Sequence, residues 1–385
     1  MLKIATDFSG VGSPETALKR LGIEHEVVFA CDIDKSARKS YQALHKPQQM
    51  FEDITTRPMD FPQLDLYVAG FPCQSFSTAG KRKGFDCPTN GTLFHTLSEF
   101  IRINQPKCFI LENVKGLVNH DNGRTFQIIK DKLSGSGGSV NEQMFLTDID
   151  GLGYHIHFKV LNTKDFGLPQ YRQRIFIVGF KDARQFSFPI AIPLKIRLKD
   201  ILQDNTNSKY LVSKDSVQYL QENQKFNKFK PLNSESEFVG CITARSNKIS
   251  ADNNFIEVDE KYYLSDNLIH DILKEGGGKI IPFQSVNAVN KRNKSGKRMY
   301  IRFPTFTNIS SCINTIDFHG IKTIQNNKTR IRRLTPLECF RLQGFTDEEH
   351  SICEQVQSDS QLYKQMGNTI SVPVIQAILK NIYNA

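Results

Sequence analysis

Residues 1–180 alternate short apolar runs with amphipathic stretches, and that alternation leaves few folds open. Strand-like runs fall at Leu2–Phe8, Val27–Asp32, Leu64–Ala69, Cys108–Leu111, Ile156–Asn162 and Arg174–Phe180. Helix-like stretches lie between them, at Pro14–Leu21, Ser36–Leu44, Leu93–Asn104 and Phe126–Leu133. Near-continuous apolar runs are strands buried on both faces, and parallel neighbours need a crossover helix. The rhythm therefore predicts an α/β fold with a mainly parallel sheet covered by helices on both faces. Ligands bind such sheets beyond the carboxyl ends of the strands. The run Ser134–Ser139, of Gly and Ser alone, reads as a surface loop.

The chain has 385 residues, more than one typical domain. Its character changes near 186–195, and from there to 328 the periodicity weakens while Asn, Ser, Lys and Phe accumulate. Regularity returns after 329, where Thr335–Leu342 and Val374–Ile382 look helical. The expected division is 1–190, 191–328 and 329–385, the middle part being a smaller, irregular, β-rich domain. Net charge is +10. Residues 191–330 hold 22 Lys+Arg against 14 Asp+Glu, which puts +8 of that surplus in one region. A localised basic surplus points to a polyanionic partner. No apolar run approaches the roughly 18 residues that span a bilayer, so no membrane association is expected. The opening Met1-Leu2-Lys3-Ile4 begins a strand rather than a signal peptide, and an intracellular, cytoplasmic location is expected. The eight cysteines form no Cys-x-x-Cys pair, which argues against a structural zinc site or a disulfide framework; no metal is expected.

Five local features carry chemistry. Phe8-Ser9-Gly10-Val11-Gly12 follows the first strand and precedes a helix, so its glycines let the backbone approach a ligand at a helix N-terminus. Asp32, at the end of the second strand, is placed to hold ribose hydroxyls. Asp53-Ile54, after the expected third strand, can flank an adenine with an acid and an apolar side chain. A solvated loop-end carboxylate is the plain alternative for each acid. Gly70-Phe71-Pro72-Cys73-Gln74-Ser75-Phe76-Ser77 sets a thiol in a sharp turn after one strand, and Glu112-Asn113-Val114 sets a carboxylate after another. Two such strands side by side bring Cys73 and Glu112 to one lip of the sheet. A thiol nucleophile beside an acid that steadies a ring nitrogen suits covalent attack on a pyrimidine.

In this order and spacing the blocks resemble those of the bacterial-type DNA (cytosine-5)-methyltransferases. Gln170-Tyr171-Arg172-Gln173-Arg174, Arg333–Gly344 with Arg-Leu-Gln-Gly-Phe, and Gln365-Met366-Gly367-Asn368-Thr369 complete the match, which covers about 1–180 and 330–385. The resemblance implies a Rossmann-like S-adenosylmethionine-dependent methyltransferase fold, with 191–328 as the target-recognition domain and 329–385 returning to the catalytic one. It implies S-adenosyl-L-methionine as cofactor and double-stranded DNA as substrate, acted on with the cytosine flipped out of the helix.

Carried onto this sequence, Cys73 would attack cytosine C6, Glu112 would hold N3 and the amine, and Arg172 and Arg174 would bind the flipped nucleotide or brace Glu112. Phe8, Gly10, Gly12, Asp32, Ile33, Asp53, Ile54, Pro72, Leu93, Asn368 and Thr369 would form the cofactor pocket. DNA contacts are expected from Ser75, Ser77, Lys81, Arg82 and Lys83, and from Arg245, Lys291, Arg292, Lys297 and Arg298. Ile33 stands where many members carry an aromatic residue, and Asp32 where Glu is common. A monomer is expected, acting independently of any cognate restriction endonuclease, either in a restriction-modification system or as a solitary bacterial or phage enzyme. Two alternatives stay open at this point: an RNA cytosine-5 methyltransferase, and a methyltransferase-like protein that binds DNA without catalysis.

Overall fold

The computed structural model describes residues 1–72, 90–135, 151–204, 206–213, 216, 232, 236–244, 255–259 and 329–384. Seven strands form one sheet: β1 Leu2–Asp7, β2 His25–Cys31, β3 Gln49–Phe51, β4 Leu66–Gly70, β5 Cys108–Val114, β6 His155–Asn162 and β7 Gln173–Phe180. Their order across the sheet is β3-β2-β1-β4-β5-β7-β6. The first five are parallel, and β7 runs antiparallel to both its neighbours. The expected mainly parallel α/β sheet is what the chain forms. The order reverses between β1 and β4, which opens a crevice at their carboxyl ends.

Alternation along the strands sorts two cores. On one face Ile4, Leu66, Val68, Cys108, Ile110, Phe176 and Val178 are buried together. On the other, Ala5, Tyr67, Ala69, Phe109, Leu111, Ile175 and Ile177 pack with Phe29 and Phe100. The helices α1 Ser13–Arg20, α2 Lys35–Leu44, α3 Asn90–Asn104 and α4 Arg124–Ser134 follow the crossover pattern. Asp34 caps α2, its carboxylate accepting from Ser36 N at 2.8 Å. A single turn, α5 Leu198–Ile201, follows the sheet in the chain. No helix among the described residues is long and apolar enough to cross a membrane.

The C-terminal segment packs on the first face. A two-stranded antiparallel pair, β8 Phe255–Asp259 and β9 Thr329–Arg333, leads into α6 Pro336–Gln343, α7 Asp347–Glu354, α8 Asp359–Asn368 and α9 Val372–Tyr383. Val372, Ile375, Ile378, Leu379 and Ile382 recur at helical spacing and join the core that holds Ile4 and Leu18. Thr335 and Glu338 form a capping box on α6, and Glu338 also takes both Nη atoms of the buried Arg332 at 2.8 Å. Gly344 ends α6 in the left-handed region at φ 87, where an added Cβ would meet the Pro373 ring. The periodicity predicts two helices in this segment; α7 and α8 are additional to them. The apolar pattern also ends the fourth long strand at Leu111, whereas β5 runs on through Glu112 to Val114, because β7 pairs with it that far.

Candidate active site

At the carboxyl ends of β1 and β4 a cleft is lined by Thr6, Asp7, Phe8, Ser9, Gly10, Ser13, Pro14, Val68, Gly70, Asn368, Thr369 and Ile370. The loop 8–12 turns through positive φ at Phe8, Gly10 and Gly12. Gly10, at φ 57, has open space where a Cβ would stand, so a ligand can approach its backbone. Gly12 abuts His45 and Tyr41, and an added Cβ there would strike the His45 ring. The loop is stitched to the end of β2. Ser9 Oγ donates to Cys31 O at 3.0 Å, and Gly10 N donates to Asp32 Oδ2 at 2.8 Å. The other Asp32 oxygen accepts from Asp34 N at 2.9 Å. Burial pushes the Asp32 carboxyl up, and these two N–H groups pull it back.

The C-terminal segment supplies the floor. Ser13 Oγ donates to Ile370 O at 2.7 Å and shares a hydrogen bond with Thr369 Oγ1 at 2.9 Å. Ile33 is 72 % exposed beside Asp32, an apolar surface left uncovered where an adenine ring is expected. The glycine approach, the fixed carboxylate and the bare Ile33 fit a nucleoside-bearing cofactor. Of the sequence-predicted cofactor residues, Phe8, Gly10, Asn368 and Thr369 line the cleft, and Gly12, Asp32, Ile33, Asp53, Ile54, Pro72 and Leu93 stand outside its lining. Asp53 Oδ1 is engaged in its own turn by Thr55 N and Oγ1, both at 2.8 Å, and Ile54 is 5 % exposed within the core of the second face. A larger cleft lies away from this site, lined by Gln127, Lys130, His155, His157 and Arg184, and shares no residue with it.

Gly70, the last residue of β4, pairs with Glu112 of β5. An alanine Cβ at Gly70 would stand 3.5 Å from Glu112 Oε2, so glycine leaves room beside the carboxyl group. Arg174 Nε lies 3.1 Å from Glu112 Oε1. Burial raises the Glu112 pKa, while Arg174 and then Arg172 oppose it. Asn113 points the other way, its Nδ2 donating to Phe71 O at 3.2 Å. The Glu-Asn-Val block thus also holds the backbone two residues before Cys73.

The two arginines have different surroundings. Arg172 is 3 % exposed, and its Nη atoms donate to Ile242 O at 3.0 Å, Gly367 O at 3.1 Å and Thr369 O at 2.8 Å. It braces the floor of the cleft and does not reach Glu112 by a hydrogen bond. The sequence motifs contain Asn113 without giving it a role, and none of them includes Cys241 or Ile370. Cys241 Sγ sits 3.3 Å from Arg172 Nη1 and 3.7 Å from Arg174 Nη2. Gln170 is also buried, accepting from Ile242 N at 3.1 Å and donating to Leu342 O at 2.7 Å. Cys73, Ser75, Ser77, Lys81, Arg82, Lys83, Arg245, Lys291, Arg292, Lys297 and Arg298 lie outside the described residues.

Comparison with known proteins agrees with this geometry. The C-5 cytosine-specific DNA methylase family matches residues 2–384. An orphan methyltransferase of Bacillus phage SPR is 32 % identical, the alignment covering 99 % of this chain and 97 % of the relative. A type II methyltransferase of Neisseria gonorrhoeae is 33 % identical over 99 % of this chain and 92 % of its own. Among solved structures, the Dnmt2 methyltransferase of S. pombe superposes with a TM-score of 0.63 at 18 % identity, covering 98 % of this chain and 97 % of that one. That likeness bears on the fold. The match over almost the whole length, with the ordered blocks around one cleft, settles the family: this chain is a member of the C-5 cytosine-specific DNA methylases.

Proposed function

We propose that this protein is a sequence-specific DNA (cytosine-5)-methyltransferase that uses S-adenosyl-L-methionine and works through Cys73 and Glu112. The observation that carries the reading is the Glu112–Arg174 pair beside Gly70, the last residue of β4, which Cys73 follows three positions on in the sequence. When bound, the cofactor supplies an electrophilic methyl group on a sulfonium. Gly10, Asn368 and Thr369 would hold its amino-acid end, and Asp32 with Ile33 its nucleoside.

The chain's own residues then do the following. A cytosine inside a duplex is out of reach, so it flips into the site. The Cys73 thiolate adds to C6, and Glu112 hydrogen-bonds N3 and the amine, which draws electron density through the ring and makes C5 nucleophilic. Arg174 holds the Glu112 carboxyl in place for this contact. After methylation, loss of the C5 proton re-forms the double bond and expels Cys73 as thiolate. Covalent addition divides one difficult substitution into two easier steps. Arg172 holds the Gly367–Thr369 turn that lines the cleft.

DNA affinity is assigned to the basic surplus of 191–328, with Arg245, Lys291, Arg292, Lys297 and Arg298, and to Ser75, Ser77 and Lys81-Arg82-Lys83 after the nucleophile. Phosphate contacts of this kind give salt-sensitive binding without sequence information. The protein is taken to act as a cytoplasmic monomer, independently of any endonuclease. Incubation with methyl-labelled S-adenosylmethionine and unmethylated genomic DNA, followed by bisulfite sequencing, tests the reading. Protected cytosines in one short recurring context are expected, and none with Cys73→Ser. Label in RNA alone, or normal turnover by Cys73→Ser, overturns it.

A further inference from the structure

Glu15 is the acid of the first turn of α1, where a helix N-terminus favours negative charge. On a surface helix such a residue stands in water; here it is 1 % exposed. Its Oε1 accepts from Tyr41 Oη of α2 at 2.6 Å and from Thr6 Oγ1 of β1 at 3.1 Å. Its Oε2 is buried without a hydrogen-bond partner. A bare carboxylate oxygen in the interior costs stability, so its presence calls for a reason.

Thr6 links that carboxylate to the cofactor cleft. It lines the cleft together with Ser9, and its hydroxyl is 3.0 Å from Ser9 Oγ. A carboxylate only accepts, so the one Thr6 hydroxyl proton goes to Glu15 and the Ser9 proton is left for Cys31 O at 3.0 Å. Burial and the Glu15 charge push the Tyr41 pKa well above its ordinary value, which keeps Tyr41 a donor. The acids at this end of the sheet differ in what answers their charge. Asp7 meets Arg57, whose Nε donates to it at 3.0 Å, and Asp32 accepts from two backbone N–H groups. Glu15 is held by two neutral hydroxyls. The His45 ring, on which the Glu15 charge also acts, is kept toward its neutral form by burial. Away from water such a charge is felt well beyond contact distance.

We propose that Glu15 is a specificity-determining residue for the cofactor: its carboxylate, one hydroxyl removed from the cleft, favours the positively charged sulfonium of S-adenosylmethionine over the uncharged thioether of S-adenosylhomocysteine. This rests on the S-adenosylmethionine reading given above. Transfer of the methyl group to cytosine C5 leaves the S–C electron pair on sulfur and removes its positive charge. Glu15 therefore attracts the substrate form of the cofactor and has no such hold on the product form, which eases exchange of one for the other.

Isothermal titration calorimetry of the full chain with S-adenosylmethionine and, separately, with S-adenosylhomocysteine tests this. Glu15→Gln keeps the shape and an acceptor oxygen and removes the charge. It should bind S-adenosylmethionine about tenfold more weakly, a modest share of what two unit charges exchange at close range in a partly buried site. S-adenosylhomocysteine should bind it as it binds the wild-type protein. Glu15→Met, unbranched, of similar length and without an amide to satisfy, should shift the ratio of affinities in the same way, and it carries the test if Glu15→Gln does not fold. A merely structural role would loosen the glycine loop for both ligands alike. An unchanged ratio, whether both affinities fall together or neither moves, therefore overturns the proposal and leaves the cofactor reading standing. A wild-type protein that binds neither ligand overturns that reading and this role of Glu15 with it.

Discussion

Arg174 reaches diagonally across the antiparallel β5–β7 pair to Glu112: it is directly opposite Val114, and its Nε lies 3.1 Å from Glu112 Oε1 two residues back along the strand. Diagonal cross-strand neighbours on one face are within reach of long side chains. The antiparallel β7 is therefore what delivers a guanidinium to a carboxylate that the parallel part of the sheet positions. Burial lifts the Glu112 pKa and Arg174 restrains it; on the function proposed above, this is the carboxyl group that meets cytosine N3.

Glu112→Gln keeps shape and hydrogen-bonding capacity but removes the ionisable proton. It should lower kcat by about 10²–10⁴-fold, the usual range for losing a positioned acid–base group. Specific DNA binding, read by gel shift, should survive. Wild-type turnover would remove Glu112 from the mechanism.

Arg172 and Arg174 should separate kinetically. Arg172→Lys keeps a cation but loses the fork that reaches Ile242 O, Gly367 O and Thr369 O. Each buried carbonyl left unmet costs about 1–3 kcal/mol, and the turn lining the cleft loosens. The expected result is weaker S-adenosylmethionine binding by calorimetry with a smaller change in kcat. Arg174→Lys should do the reverse. Equal effects of both substitutions on both parameters would count against the division of labour.

Much of this arrangement is legible in the amino-acid sequence. The apolar runs mark six of the seven strands of the sheet: strands buried on both faces must be largely apolar, and the partly exposed edge strand β6 shows through its alternation. Glu112 and Arg174 are identified by block resemblance, and their contact then requires only that β5 and β7 be neighbours. β3 is three residues long and carries no run of its own. The helix α7 is announced by Thr346-Asp347-Glu348-Glu349, a capping box that the structure uses, but it has few buried apolar residues and so little periodicity. The contacts of Cys241, and of Gly367 within its motif, are out of reach of sequence patterns for a different reason. Their roles depend on where the segment 239–244 crosses β7 and α8, a contact between residues more than 120 positions apart in the case of Gly367.

Gly367 marks that crossing. A Cβ there would overlap the backbone of Thr243 and Ala244, which cannot swing aside as a side chain could. Gly367→Ala should therefore destabilise by about 1–3 kcal/mol or more, the usual cost of overpacking, seen as a lowered melting temperature. Gly70→Ala is the contrasting case. Its Cβ meets Glu112 Oε2 at 3.5 Å and Ile370 Cδ1 at 3.7 Å, ordinary contacts, so stability should hold while methyl transfer falls because the space beside Glu112 is filled. A stable Gly367→Ala protein would show that segment 239–244 is free to move off α8.

His350 gives the stability a pH dependence. It is 7 % exposed, its ring packs edge-on against Phe340 at 5.0 Å, and its Nε2 has no hydrogen-bond partner. Burial pushes its pKa down, and the nearby carboxylates of Glu354, Asp347 and Asp359 only partly oppose this. The unfolded chain titrates near the ordinary value of about 6.5, so below that pH it binds a proton that the folded protein refuses. The contribution is therefore fully present above about 6.5 and is lost as pH falls through the depressed folded value. His45, whose pKa burial also lowers, acts in the same direction. Melting temperatures measured from pH 8 down to 5 should fall more steeply for the wild-type protein than for His350→Phe, which keeps the ring against Phe340 and cannot take up a proton. Parallel curves would mean that the folded protein accommodates a protonated His350 without cost, and the burial argument for this residue would be wrong.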